Sequence, residues 1–333
     1  MRLLVLGGTR FVGRAVVEAA LERGWEVTAV HRGVTGTLPP AVTAVVVDRT
    51  DAQALGQGLG DGTWDAVLDT WAGAPSVARD AATALAGRVG RAAYVSSRSV
   101  YAEWDVGRDE TAPVVDASPD ADAVRYPEDK RGGELAWLAA FPDVMLLRAG
   151  MILGPYEDVG RLPWWLDRIS RGGRVVAPGR PQRGLQYVDV RDLAEFALDG
   201  LTRGLSGPYD IVSEPGHCTM LDLLVACVEM TGSDAELVWV DEAALAAAGA
   251  QPWTQLPCWL PESGELAGFL ASDATKALAA GLSCRPVGQT VTDTWAWVRR
   301  AGVPRGRPGM QPGLPAELER ALLGSARAVL SGG

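Results

Sequence analysis

Tyr126 and Lys130 stand four residues apart in "RYPEDKRGGELAWL", residues 125–138. With six tyrosines and two lysines in 333 residues, only about 0.04 pairs at this spacing are expected by chance. On a helix the spacing puts both side chains on one face, a turn apart. A phenol with an ordinary pKa of about 10 is a poor base near neutrality, but a neighbouring ammonium stabilises the phenolate. Tyr126 could then exchange a proton with a hydroxyl or carbonyl oxygen. Pro127 disfavours a regular helical conformation for the residue before it, so Tyr126 is expected at the helix boundary. Upstream, "YVSSRSVYA" (94–102) offers hydroxyls at the end of a strand, where they could orient the reacting oxygen.

A second chemical signal is "LGGTRFVGRAVV" (6–17), where a strand hands over to a helix. Gly7 and Gly8 permit a tight turn and close backbone approach, Gly13 permits tight helix packing, and the helix N-terminus attracts a pyrophosphate. A dinucleotide site is therefore expected around Gly7, Gly8, Thr9, Arg10, Phe11, Val12 and Gly13. Lys130 could hold its nicotinamide ribose. Arg10 adds a cation at the turn, and Arg32 follows the second strand where a ribose-binding carboxylate would otherwise stand. Guanidinium groups suit a 2'-phosphate, so NADP is expected over NAD.

The elements around these residues alternate through the first 150 positions. Aliphatic runs at 2–8, 25–32, 41–48, 64–70, 91–97 and 144–154 read as strands, separated by alanine-rich helices, the pattern of βαβ units in an α/β fold with a parallel sheet. Residues 1–150 are expected to form the dinucleotide-binding core, with 185–212 returning to it. Residues 151–184 and 213–333 then form a smaller substrate-binding region. Thr219 is a plausible N-cap for a helix over 220–232. Residues 302–315 read as a loop before a short terminal helix.

A net charge of -10 argues against nucleic acid or anionic lipid as partner, and no stretch is apolar enough to cross a membrane. No secretory signal is apparent, so the cytoplasm is the expected compartment. Four dispersed cysteines and two distant histidines form no metal pattern, and the thiols read as reduced core residues.

The glycine turn resembles that of atypical and extended short-chain dehydrogenase/reductases, with Leu6 and Arg10 departing from the usual T-G-x-x-G-x-x-G. "SSRSVY" followed by YxxxK resembles the Ser-Tyr-Lys arrangement of that group and of its NAD-dependent epimerase/dehydratases. The resemblance implies a Rossmann-type doubly wound parallel sheet. It implies Ser97 as catalytic hydroxyl, with Ser99 as the nearby alternative, beside Tyr126 and Lys130. Asp48 resembles the family's adenine-contacting acid, and Arg49 and Trp71 join it in the expected cofactor set. "LLRAGMILGP" resembles the segment lining the nicotinamide, with Met151 in it. Arg183 matches an arginine that often contacts a nucleotide-sugar diphosphate.

Several tryptophans, Trp71, Trp104, Trp164, Trp165, Trp253 and Trp259, favour a largely apolar pocket. Ser99, Trp104, Trp164 and Arg183 are the candidate substrate contacts. The leading expectation is an NADP-dependent carbonyl/alcohol oxidoreductase acting on a small, aromatic or polycyclic molecule, with a homodimer compatible with it. The alternatives are a nucleotide-sugar epimerase/dehydratase and a noncatalytic NADP-binding sensor.

Overall fold

The computed structural model describes residues 1–307 and 312–330. Thirteen strands follow in chain order: β1 Arg2–Leu6, β2 Glu26–His31, β3 Thr43–Val46, β4 Trp64–Asp69, β5 Val89–Ser97, β6 Met145–Ala149, β7 Met151–Leu153, β8 Arg174–Pro178, β9 Gly184–Leu185, β10 Tyr187–Asp189, β11 Gly207–Ile211, β12 Cys218–Thr219 and β13 Glu236–Val240. The α-helices are α1 Phe11–Glu22, α2 Ala52–Leu59, α3 Pro75–Leu85, α4 Tyr126–Ala140, α5 Arg161–Ser170, α6 Val190–Arg203, α7 Met220–Thr231, α8 Glu242–Ala247, α9 Thr275–Ala279, α10 Val287–Ala301 and α11 Ala316–Leu330. The loop expected over 302–315 lies partly outside the described residues, at 308–311, and α11 follows it.

Seven strands form one sheet in the order β11-β6-β5-β4-β1-β2-β3, with every neighbouring pair parallel. This is the doubly wound Rossmann-type sheet that the sequence pattern implies. Residues alternate across it. Leu3 and Val5 join the core under α1 and α6, while Leu4 and Leu6 join the core under α2, α3 and α4. All four are fully buried, and burying each stabilises the fold by about 1.5–3 kcal/mol.

The strand expected over 144–154 is two strands. It breaks at Gly150, whose N–H donates to Ile211 O at 3.2 Å; β6 stays in the main sheet and β7 pairs with β10. Of the segment expected to return to the sheet, β11 does so as its last strand and α6 packs on α1. A third core, with Trp165 and Trp259 fully buried, fills the C-terminal region. Thr219 caps α7 as expected, in a capping box with Asp222. No helix among the described residues is long and apolar enough to cross a membrane.

Candidate functional site

The strand order reverses between β1 and β4, and parallel sheets open a ligand crevice outside the carboxyl ends of their strands at such a point. A cleft of about 300 Å³ lies there. Its wall takes Leu6 and Gly7 from the end of β1, His31 and Arg32 from β2, Arg49 from the segment after β3, Thr70 and Trp71 from β4, and Val95 from β5. Thr9, Arg10, Phe11, Val12 and Gly13 complete its floor.

The floor fits the phosphates of a dinucleotide on two counts. A Cβ placed on Gly13 would lie 1.8 Å from Gly7 O, so turn and helix touch closely enough to admit only glycine. Helix α1 also starts without a side-chain cap, leaving its first N–H groups directed at the cleft for an anion. Thr70 Oγ1 donates to Leu6 O at 3.0 Å, tying the ends of β4 and β1 together beneath the turn.

Other expected cofactor residues differ in role. Gly8 backs the turn against Ala29 and Val17 instead of facing the cleft. Asp48, expected beside the adenine, accepts from Thr50 N at 3.0 Å and Thr50 Oγ1 at 2.8 Å, an exposed Asx turn outside the cleft wall. Those bonds lower its pKa. Arg49 does face the cleft, but its guanidinium pairs with the buried Asp69 at 2.5 and 2.9 Å and stacks on Trp71. Met151, in β7 beyond the break at Gly150, is buried in the C-terminal core and does not line the cleft.

Lys130 is 3% exposed. Its Nζ donates to Trp71 O at 2.5 Å and to Val95 O at 2.7 Å, so the ammonium sits behind two residues that line the cleft. Burial pulls its pKa down to about 7. Two local features bring the lysine there. Asp129 Oδ1 accepts from Val124 N at 2.9 Å and fixes the chain entering α4. Gly133 lets the helix lie against β5, where a Cβ would meet Tyr94 Oη at 2.3 Å.

Ser97 ends β5 two residues beyond Val95, and alternation puts both side chains on one face of the strand. Its Oγ accepts from Ser99 N at 3.1 Å. Tyr126 is the first residue of α4, preceded by an extended Arg125, and is 48% exposed. The helix boundary expected from Pro127 is observed. Ser97 thus stands at the carboxyl end of β5, the strand whose Val95 carbonyl holds Lys130, with Tyr126 one turn before the lysine at the open start of the helix.

The expected substrate contacts are mostly committed elsewhere. Arg183 is buried and donates to Leu260 O, Pro261 O and Ala267 O at 3.1, 3.2 and 3.4 Å, which leaves it bracing a loop. Trp164 packs edge-on against Trp165 in the C-terminal core. Trp104 stacks on Phe269 at 4.4 Å. Of the expected set, Trp165 and Trp259 are fully buried, so these tryptophans do not form one apolar mouth.

Sequence reasoning missed the salt-bridged layer beneath Ser97. Glu134 accepts from Ser96 Oγ at 2.7 Å and pairs with Arg148 at 2.9 and 3.0 Å, all three buried. An arginine inside the apolar run "MLLRAG" was the available signal. It also missed Asp158 and Arg307, which line the cleft from regions far along the chain, and no local pattern marks them.

The sheet and the crevice at its switch point define an α/β protein of Rossmann type. Residues 3–86 match the model of the NAD dependent epimerase/dehydratase family, in line with the resemblance carried by the glycine turn. Among solved structures, the chain resembles the Bordetella bronchiseptica enzyme WbmH in complex with NAD+ (TM-score 0.66, 20% identity, 91% of this chain and 99% of that one). It likewise resembles the UDP-glucose 4-epimerase of Thermotoga maritima with UDP-glucose (TM-score 0.65, 19% identity, 90% and 99%). A third is the Thermus thermophilus UDP-glucose 4-epimerase complex with NAD (TM-score 0.63, 22% identity, 90% and 100%). At these identities the likeness establishes the fold. A comparison with curated protein sequences finds no match.

Proposed function

We propose that the protein is a nicotinamide-dinucleotide-dependent enzyme of the epimerase/dehydratase type, acting at an alcohol carbon of a nucleotide-sugar-like substrate. The observation that carries this reading is the placement of Lys130 Nζ on Trp71 O and Val95 O, behind two residues of the cleft wall. The similar folds whose descriptions name UDP-glucose 4-epimerases favour this chemistry over net carbonyl reduction. The aromatic-substrate version loses its support with Trp165 and Trp259 in the core. Arg183, bound to three loop carbonyls, is not needed as a diphosphate contact in this reading.

When bound, the nicotinamide would supply the hydride acceptor and donor. Ser97 would hydrogen-bond the reacting oxygen and Tyr126 would take and return its proton. Lys130 would favour the phenolate through its charge. With Tyr126 half-exposed, the substrate itself would cover the phenol. NADP remains the preferred form in this reading, because Arg32 lines the cleft beyond β2 while Asp48 turns away; the NAD-bound similar structures set the contrast.

The test is an NMR assay of a nucleotide-sugar panel with catalytic dinucleotide. Interconversion without accumulation of reduced cofactor supports the proposal. Stoichiometric dinucleotide oxidation by a carbonyl compound would favour the reductase instead, and tight binding without any turnover would favour the sensor.

A further inference from the structure

The dinucleotide cleft contains an ion-pair bridge that spans distant parts of the chain. Arg10, on the glycine turn, has Nε 3.3 Å from Asp158 Oδ2. Arg307, about 150 residues further along than Asp158, donates through Nε and Nη2 to Asp158 Oδ1 at 3.2 and 2.8 Å. All three line the cleft, and the charge of Arg307 works against the ammonium of Lys130. Arg10 is the N-cap of α1 and its side chain makes no cap hydrogen bond, so the bridge lies over the helix N-terminus that suits a pyrophosphate.

We infer that Asp158 occupies the position of a dinucleotide phosphate, and that Arg307 is a pyrophosphate-binding residue delivered by the C-terminal region. This rests on the proposed dinucleotide site. The chain at Asp158 is anchored through its neighbour. Asp158 follows the buried Glu157, whose carboxylate accepts from Arg161 N at 2.7 Å and Leu162 N at 3.2 Å at the start of α5. The arginines are the exchangeable partners: their side chains are 55% and 46% exposed, and ion pairs of such exposure are weak. A diphosphate offers guanidinium groups two charges and fork-shaped acceptors where Asp158 offers one carboxylate. Binding would transfer Arg10 and Arg307 from Asp158 to the ligand and draw the C-terminal segment onto the cofactor.

The probes are NADH, NADPH and adenosine, which lacks the pyrophosphate, titrated by tryptophan fluorescence against the full chain, with circular dichroism to confirm folding. R307Q is expected to weaken NADH and NADPH equally, by about tenfold, and to leave adenosine unchanged; R307K should fall between R307Q and the wild type. D158N is expected to tighten both dinucleotides. A D158N variant that binds more weakly, an R307Q effect confined to NADPH, or an R307Q affinity equal to wild type would overturn the inference. Failure of the wild-type chain to bind any dinucleotide would remove the underlying site as well, whereas normal wild-type binding with an unaffected R307Q removes the role of Arg307 alone.

Discussion

Lys130 Nζ and Tyr94 Oη share one acceptor, the carbonyl oxygen of Trp71, at 2.5 and 3.0 Å. The lysine also lies 4.9 Å from the centre of the Tyr94 ring. Tyr94 is fully buried, so the ammonium is anchored from the protein interior. Tyr94→Phe removes one hydrogen bond and leaves the ring. Urea unfolding should show a loss of about 0.5–1.5 kcal/mol with dinucleotide affinity close to wild type.

Tyr126→Phe tests proton transfer directly. Turnover should fall by about 10²–10⁴-fold while NADH and NADPH affinities hold, since Tyr126 is outside the cleft wall. Unchanged turnover in the folded variant would remove the phenol from the chemistry.

The pKa of Lys130 gives stability a pH signature. It stands at about 7 in the folded chain against an ordinary 10.5, so the folded state holds fewer protons between those values than the unfolded state. The linked stability is fully present above pH 10.5, and it is lost as pH falls through about 7. Urea midpoints of the cofactor-free chain from pH 6 to 10 should rise less steeply in Lys130→Met than in the wild type.

Glu134→Ala leaves Arg148 buried opposite an empty position. Breaking such a pair costs about 3–5 kcal/mol, and the thermal midpoint should drop accordingly. Ser96 and Arg148 both lose their acceptor, so a stability change smaller than a surface substitution gives would contradict the burial of this network.

Arg32→Ala separates the two cofactors. Loss of a charge-assisted contact should weaken NADPH by about tenfold and leave NADH unchanged. Equal affinities in the wild type for the two dinucleotides would remove the argument for a 2'-phosphate contact.

Much of this architecture was legible along the chain because it follows local rules. The alternation of buried aliphatics in β1, the glycine turn, the boundary at Tyr126 and the cap at Thr219 each depend on residues within one turn or strand. Asp48 looks available for a ligand until its near neighbour Thr50 closes an Asx turn on it. Roles that depend on distant partners are not legible along the chain. Arg183 looks like an anion contact until the loop at 260–267 supplies three carbonyls. Asp158 and Arg307 meet only after the C-terminal region has folded back across the cleft, a closure that local spacing does not encode.

The place of β11 sets an order on synthesis. Strand β6 is fully buried along all five residues because Gly207–Ile211 pairs beside it. A nascent chain that has emerged only as far as residue 150 carries the glycine turn, Ser97, Tyr126 and Lys130, yet leaves Met145–Ala149 as an open edge. Such an edge pairs with other chains when left uncovered. A product ending at residue 150 would therefore contain most of the chemistry and aggregate, and the ribosome must deliver some sixty further residues before the sheet is safe from its neighbours.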